Sequence, residues 1–305
     1  MPTTEIGFRL VPRRRVIGMD FGTLASARRG RGPDIAGARP YSPGDDMRAI
    51  DWAASARLSS ARGADEFIVR EAWAEDSPTV VVVVDSRPGM ALYPPALPWL
   101  GKARAARIAL QLIAECVASS RGSLGLIDHE DGAATWLPPR AGREVWHVAE
   151  RAPSAQFAPG DALDTALDVL HEHRRALPSG SFIFVLSDFL APVRRGGWAD
   201  LLERGWDLVP VVIQDPIWER SFPDVADIVV PFSDAGSGSV HYVRFGGTEV
   251  QRRRQEHERR FTEIIDGFWR QGVEPIVLGS EDRGLVLREL SAWTEGRLHG
   301  SWARQ

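Results

Sequence analysis

The sequence predicts an α/β protein in which a mostly parallel sheet is covered by helices on both faces. Two segments, TVVVVVD at residues 79–85 and SFIFVLSD at residues 181–188, are continuous apolar runs that each end in an aspartate. Runs of this kind are typical of strands buried on both faces of a parallel sheet. Segments with helical periodicity alternate with these strands, and that alternation favours right-handed crossover connections.

The other elements of the predicted α/β domain, residues 78–305, follow from the same two patterns. Apolar residues that recur every three or four positions predict helices, as with Ala106, Ala109 and Ile113 in the first one. Short apolar runs between turn residues predict strands. In chain order, we expect a helix at 101–121, strands at 124–127 and 134–137, helices at 161–171 and 198–204, strands at 207–213 and 274–279, and a helix at 284–294.

Residues 216–247 interrupt this alternation of strands and helices. The runs IVVPF and VHYVRF are separated by SDAGSGS, which predicts a β-hairpin inserted into the α/β frame. The following segment, 248–271, has strong helical periodicity, with Phe261, Ile264 and Phe268 on its apolar face. Its arginine clusters are expected to form a solvated face.

Residues 1–77 are predicted to form a separate N-terminal segment packed on the main domain. Basic residues dominate positions 8–31 and acidic residues dominate positions 41–76, so we expect the two blocks to pair within the chain. RRGRGPDIAG, at 28–37, is rich in glycine and arginine and predicts a loop. EFIVREA, at 66–72, predicts a strand with its polar positions outward.

Composition excludes several classes of protein. The 305 residues carry a net charge of -4, and the single cysteine, Cys116, excludes an intrachain disulfide and a cysteine-cluster metal site. No apolar run reaches the roughly 18–20 residues that span a bilayer, and the first residues lack a signal-peptide apolar core, so we expect a cytoplasmic protein. Lys102 is the only lysine among the basic residues. The arginine excess is explained either by codon composition or by recognition of phosphate or carboxylate.

Two aspartates mark the predicted ligand-binding edge of the sheet. Asp85 and Asp188 each end an apolar strand, and ligands bind beyond the carboxyl ends of parallel strands. Two carboxylates that converge there could hold Mg²⁺, which prefers oxygen ligands. Alternatively, each aspartate caps the following turn by accepting backbone N–H bonds. The spacing leaves both interpretations open.

The first strand ending in aspartate, the amphipathic helix and the later strand ending in Ser-Asp resemble the von Willebrand factor A-type fold, a Rossmann-like architecture. That family carries a metal-ion-dependent adhesion site, Asp-x-Ser-x-Ser with a later Thr and Asp. Asp85 and Asp188 match the two aspartates, Arg87 and Gly89 stand where the serines belong, and Asp161 stands near the threonine position. The resemblance therefore implies a degenerate site without a metal cofactor, in which Arg87 could pair with Asp85 or Asp188 and replace the Mg²⁺ ion.

A second resemblance lies in RPYSPGDDMRAIDWAASARLSSARGADEFIVREA. It is similar to the signature of the bacterial domain of unknown function 58 family. The matching positions are Arg39, Tyr41, Gly44, Asp45, Arg48, Ile50, Asp51, Trp52, Ala56, Arg57 and Glu71. This resemblance implies a non-enzymatic companion of a MoxR-type AAA+ ATPase, with a chaperone-like or adaptor role toward client proteins.

The signature residues are expected to form a network of carboxylate–guanidinium pairs. Asp45 and Asp51 supply carboxylates, and bidentate arginines fix such pairs in a defined geometry. Trp52 is predicted to be a large apolar anchor beneath this network. The network either clips the N-terminal segment to the α/β domain or faces a partner. Its predicted members also include Arg39, Arg48 and Arg57.

Three functional hypotheses follow. The first is a non-enzymatic protein-interaction module that acts with a MoxR-type ATPase on client proteins. The second is a metal-dependent enzyme that uses Asp45, Asp46 and Asp51, or the pair Asp85 and Asp188, as ligands. The third is a nucleic-acid binder that uses the arginines at 13–15, 28–31 and 252–260, against which the net negative charge weighs.

Overall fold

The computed structural model describes residues 7–12, 24–41, 50–62, 67–90, 100–130, 133–150, 161–191, 197–225, 227–233 and 239–299. Its main sheet has six strands: β3 (Thr79–Val84), β4 (Ser123–Glu130), β5 (Ala133–Ala141), β6 (Phe182–Ser187), β7 (Asp207–Ile213) and β10 (Ile276–Leu278). Their order across the sheet is β10-β7-β6-β3-β4-β5. Only β5 runs antiparallel to its neighbour, so the mostly parallel sheet predicted from sequence is confirmed.

Among the described residues, six helices cover the two faces of this sheet: α2 (Lys102–Ser119), α3 (Glu144–Glu150), α4 (Ala162–Glu172), α5 (Gly197–Glu203), α6 (Gly247–Arg270) and α7 (Arg283–Leu298). Helices α2, α3 and α7 pack with Val80 and Val82 on one face. Helices α4, α5 and α6 pack with Val81 and Val83 on the other. Alternate residues of β3 therefore enter opposite halves of the core, which confirms the prediction of a doubly buried strand. Helix α3 was not predicted.

The inserted hairpin is also confirmed, with strands β8 (Ile228–Ser233) and β9 (Val240–Phe245) paired antiparallel. A small satellite core beneath it contains Phe222, Phe245 and Val250, so the hairpin is attached to the start of α6. The outward positions of β9 include Tyr242, which is well exposed.

In the N-terminal segment, β1 (Leu24–Pro40) pairs antiparallel with β2 (Ile68–Asp76), and α1 (Trp52–Arg62) lies between them in sequence. The predicted strand at 66–72 is confirmed, but the loop predicted at 28–37 is wrong. Those residues lie within β1, where register shifts such as the one between Gly30 and Ile35 interrupt the pairing. A pairing partner in β2 thus overrides the loop-like composition, and bulges accommodate its irregularity.

Residues 7–12 join the main domain. Phe8 and Leu10 are buried in the core cluster that includes Trp293, and the rings of Phe8 and Trp293 meet edge-on. The Thr294 hydroxyl donates to the carbonyl of Arg9 at 2.7 Å, so this strap is held along α7 by polar as well as apolar contacts. Within the described ranges, no helix is both long and apolar enough to cross a membrane.

Candidate functional site

The candidate site lies where the order of strands reverses. After β3, the chain builds β4 and β5 on one side of it, and then returns to place β6 on the other side. The carboxyl ends of β3 and β6 therefore flank the crevice in which open α/β sheets bind ligands. Asp85 directly follows β3 and Asp188 directly follows β6, and both are buried. The predicted convergence of these two aspartates is thus present.

Asp85 is held in a bidentate ion pair with Arg87. The Nε atom of Arg87 donates to Oδ1 at 2.9 Å, and its Nη2 atom donates to Oδ2 at 2.5 Å. The backbone N–H of Arg87 also donates to Oδ1, and the Ser187 hydroxyl donates to Oδ2 at 2.6 Å. Burial by itself would lower the pKa of Arg87, but the carboxylates of Asp85 and Asp188 outweigh it and raise that pKa. Both oxygens of Asp85 are therefore engaged by the protein itself.

Asp188 is neutralised by the single lysine of the chain. The Nζ atom of Lys102, at the first position of α2, donates to Asp188 Oδ2 at 2.8 Å and to Glu219 Oε1 at 2.6 Å. Lys102 is only 2% exposed, so its ammonium is enclosed with these carboxylates. Burial would lower the pKa of Lys102, but Asp188 and Glu219 raise it. Burial also raises the pKa of Glu219, against the opposing effect of Lys102.

A further shell of hydrogen bonds fixes this arrangement. The side chain of Gln214 donates to the carbonyl of Asp188 at 2.5 Å, and the backbone N–H of Asp215 donates to Glu219 Oε2 at 2.7 Å. The carboxylate of Asp215 itself accepts the backbone N–H groups of three residues, Leu100, Ile217 and Trp218. Backbone N–H groups also donate to Asp85 and Asp188, so the capping interpretation holds alongside the ion pairs.

The degenerate site predicted from the resemblance is only partly assembled. Gly89 lies against it, because a Cβ at that position would be 3.0 Å from Asp188 Oδ2. Asp161 does not join it: it is exposed at the start of α4, and its carbonyl accepts the Thr165 hydroxyl. The crevice thus contains Asp85, Arg87, Gly89 and Asp188, but not Asp161.

These residues do not fit a divalent cation. The oxygens that would bind it already bind the guanidinium of Arg87 and the ammonium of Lys102, and a third cation would be repelled by both. In the part of the chain that the structure describes, no cluster of three or more His, Cys, Asp or Glu side chains is arranged to hold a metal. The crevice is filled by five buried, ion-paired side chains, which we name the switch-point cluster: Asp85, Arg87, Lys102, Asp188 and Glu219.

Sequence reasoning missed Lys102 and Glu219. Lys102 and Asp188 are 86 residues apart in the chain, and Lys102 and Glu219 are 117 residues apart. One signal was available, since Lys102 is the only lysine and stands where an apolar helix begins. Lysine is rarely buried unless it is paired, so a single lysine at the start of an apolar helix in an arginine-rich chain indicates a specific partner.

The signature residues are described only in part. Gly44, Asp45, Asp46 and Arg48 lie outside the described residues. Arg39 lies in β1 and Glu71 in β2, and the backbone N–H of Tyr41 donates to the carbonyl of Phe67.

The signature residues at the start of α1 make local contacts. Asp51 Oδ1 accepts the backbone N–H of Ala54 at 3.0 Å, which makes Asp51 the cap of this helix. Arg57 Nε donates to the carbonyl of Ala53 within the same helix. Trp52 is 60% exposed and meets Phe67 edge-on at 5.9 Å. Its role as an anchor beneath the signature network stays a prediction, because Asp45 and Arg48 lie outside the described residues.

The arginines of α6 are engaged within the chain. Arg252 and Arg253 both donate to Glu249, which lowers the pKa of that carboxyl group. Arg254 donates to the carbonyl of Phe222, and Arg260 to the carbonyl of Glu219. The Glu249 carboxylate offsets part of the basic field that nucleic-acid binding requires, whereas the neutral carbonyls do not. Residues 13–15 lie outside the described residues.

A model of the family described as "Protein of unknown function DUF58" matches residues 37–263. Two curated relatives, Uncharacterized protein Mb1516 of Mycobacterium bovis and Uncharacterized protein Rv1480 of Mycobacterium tuberculosis, are each 28% identical over 219 residues. The match covers 69% of this chain and 63% of each relative. The chain therefore spans less than two thirds of the length of these relatives.

Solved structures with a similar backbone include the conserved hypothetical protein BatB from Bacteroides thetaiotaomicron and the pilus adhesin SpaC from Lactobacillus rhamnosus GG. BatB has a TM-score of 0.39 and 14% identity, over 72% of this chain and 99% of BatB. SpaC has a TM-score of 0.37 and 14% identity, over 73% of this chain and 31% of SpaC.

Proposed function

The chain belongs to the DUF58 family, and from this premise we propose that it is a protein-interaction module without catalysis of its own. In this proposal it acts in the cytoplasm with a MoxR-type AAA+ ATPase, in chaperone-like assembly or maturation of client proteins. The ATPase supplies the energy of nucleotide hydrolysis, and this chain supplies binding surfaces.

The observation that carries this proposal is the switch-point cluster. In an enzyme of this sheet topology, the crevice between β3 and β6 is the expected place for substrate, cofactor or metal. Here Arg87 and Lys102 fill it and make bonds to Asp85, Asp188 and Glu219. Such a crevice favours a rigid binding scaffold over a reaction centre.

A second feature supports the location of the partner contact. Trp52 and Phe67, 60% and 45% exposed, form an aromatic pair on the segment that carries the family signature. Exposed aromatic side chains are enriched in protein interfaces and supply much of their binding energy. We therefore assign this pair to the ATPase-binding surface.

The test is co-purification with a MoxR-type ATPase from the same organism, in the presence of ATP and, separately, of ADP. We expect retention at micromolar concentrations with at least one nucleotide. Trp52→Ala should weaken the complex about tenfold or more, because hot-spot aromatics contribute about 2 kcal/mol or more. The matched control is Trp146→Ala, since Trp146 is an exposed tryptophan on α3. No retention of the unmodified chain with either nucleotide would reject the ATPase partnership.

A further inference from the structure

A second concave region lies on the same edge of the sheet, away from the switch-point cluster. It is a cleft of about 340 Å³ at the carboxyl ends of β7 and β10, beside the start of α7. Leu278, Gly279 and Leu285 contribute to its walls, and Arg220 lines it together with Arg288. The volume is at the lower end of the range for small-ligand sites.

The guanidinium of Arg220 packs against the Phe261 ring and against Gly279. On one side it lies over the Phe261 ring, with its Cζ atom 5.3 Å from the ring centroid. On the other side it lies against Gly279, where a Cβ would be 2.9 Å from Nη2 and 3.3 Å from Cζ. A Cβ at position 279 would therefore displace the guanidinium from this position.

Two donors of this guanidinium are unpaired within the part of the chain that the structure describes. The Nε and Nη2 atoms of Arg220 are buried, and neither has a hydrogen-bond partner among the described residues. Buried donors of a charged group are costly when they are left unbonded, so such a case calls for an explanation. Nε and Nη2 form the side of the guanidinium that binds a carboxylate through two parallel hydrogen bonds. Arg87 binds Asp85 through the same two atoms in this chain.

Nearby carboxylates are engaged elsewhere. Asp215 accepts backbone N–H groups, Glu219 binds Lys102, and Glu289 accepts two hydrogen bonds from Arg288. Burial lowers the pKa of Arg220, and the charges of Asp215, Glu289 and Glu219 only partly oppose it. The guanidinium thus lacks a close counter-ion among the described residues.

We propose that this cleft binds a carboxylate carried on an aliphatic group, and that the Arg220 side chain turns toward the cleft to present Nε and Nη2 as a bidentate partner. A monoanion fits the charge of the cleft, because Arg288 and Glu289 already balance each other. The aliphatic group fits the walls formed by Val277, Leu278 and Leu285, of which Leu285 is 41% exposed. A free aliphatic acid and the C-terminus of a polypeptide share this chemistry. The site does not depend on the ATPase partnership.

The test measures binding of N-acetyl-L-leucine by the full chain, using calorimetry and the thermal unfolding midpoint. We expect a millimolar dissociation constant and, at ten times that concentration, a rise in Tm of about 2–4 °C. N-acetyl-L-leucinamide, which lacks the carboxylate, should give no shift. An equal shift with the amide, a shift with inorganic phosphate alone, or no binding of the acid up to about 10 mM would overturn the proposal.

Two variants locate the site. Arg220→Met should weaken binding tenfold or more and should still fold, because apolar replacement of an unpaired buried charge is tolerated. Gly279→Ala displaces the guanidinium without removing it and should also weaken binding. Arg259→Met, an exposed arginine paired with Glu263 on α6, is the control and should bind normally. Normal binding by both Arg220→Met and Gly279→Ala would overturn the proposal.

The source of the carboxylate is distinguished by peptide length. The tetrapeptide Gly-Gly-Gly-Leu with a free C-terminus is compared with its amidated form and with N-acetyl-L-leucine. Binding of the free peptide at least as tight as that of the amino-acid derivative supports a polypeptide terminus as the ligand. Exclusion of the peptide, with binding of N-acetyl-L-leucine retained, supports a free aliphatic acid.

Discussion

Two guanidinium groups lie at the carboxyl edge of the same sheet and differ in how far the protein satisfies them. Arg87, between β3 and β6, gives Nε and Nη2 to Asp85. Arg220, beside β7 and β10, has no acceptor for the same two atoms among the described residues. Both are placed where α/β proteins bind ligands. A structural ion pair therefore differs from a candidate binding site in whether the protein supplies acceptors for the guanidinium donors, and not in position alone.

The largest effect is expected from removing the lysine of the switch-point cluster. Lys102→Met keeps most of the side-chain volume but leaves Asp188 and Glu219 buried without their shared cation. We expect the free energy of unfolding to fall by about 3–5 kcal/mol, the range for breaking a buried ion pair. Urea unfolding followed by tryptophan fluorescence measures it.

The control for this variant is Arg104→Met, because Arg104 and Glu281 form an exposed pair at 3.5 Å. Exposed pairs contribute about 0–1 kcal/mol, so the control should unfold close to the unmodified chain. A similar small loss in Lys102→Met would contradict the interpretation that the cluster is a closed structural unit.

Removing the cationic side chains of Arg87 and Lys102 should convert the crevice into a metal site. In Arg87→Ser/Lys102→Ala, the oxygens of Asp85 and Asp188 are released and a hydroxyl is added, which are donors that Mg²⁺ and Mn²⁺ accept. We expect calorimetry to detect metal binding at about 1 mM or tighter, roughly 4 kcal/mol, for the variant. The unmodified chain should give a silent titration. Metal binding by the unmodified chain would instead favour the metal-dependent enzyme.

Alkaline pH should loosen the same cluster. Because the folded-state pKa of Lys102 is raised, its contribution to stability is complete below the ordinary lysine pKa of about 10.4 and is lost as pH rises through the higher folded value. We therefore expect the urea midpoint to fall as pH increases from about 9 to about 11.5. Lys102→Met should show a flatter profile over this range, and an identical slope would remove Lys102 as the cause.

The smallest effect is expected at Gly89. In Gly89→Ala the new Cβ would lie 3.0 Å from Asp188 Oδ2, so the carboxylate must shift by a few tenths of an ångström. We expect a loss of about 1 kcal/mol in urea unfolding. Gly267→Ala, in α6, meets no atom within 4 Å and should instead stabilise by about 0.5–1 kcal/mol. Equal effects of the two substitutions would show that the Asp188 carboxylate can shift without a loss of stability.

Parts of the candidate site could be predicted because they depend on local pattern. Asp85 and Asp188 follow apolar strands, and the carboxyl ends of parallel strands share one edge, so their proximity follows from the sequence. The pairing of Arg87 with Asp85 is local and was one of the alternatives considered. Lys102 and Glu219 come from α2 and from the chain after β7, and only the crossovers bring them together.

The N-terminal segment shows the opposite case. Glycine and arginine at 28–37 favour a loop locally, but β2 offers a pairing edge and the residues form part of β1. Trp52 was predicted to be an apolar anchor beneath the signature network, and its side chain is 60% exposed beside Phe67. Pairing and orientation are long-range properties, so composition did not determine them.

The sequence by itself determined the α/β class, the doubly buried strands β3 and β6, the inserted hairpin and the resemblance to the family, because each depends on periodicity or on a contiguous motif. Only the tertiary structure decided which charges meet. It placed the single lysine between Asp188 and Glu219 and left Arg220 against Gly279 without an acceptor among the described residues. The physical reason is that burial removes water as a partner, so the fate of each charge depends on neighbours that are distant in the chain.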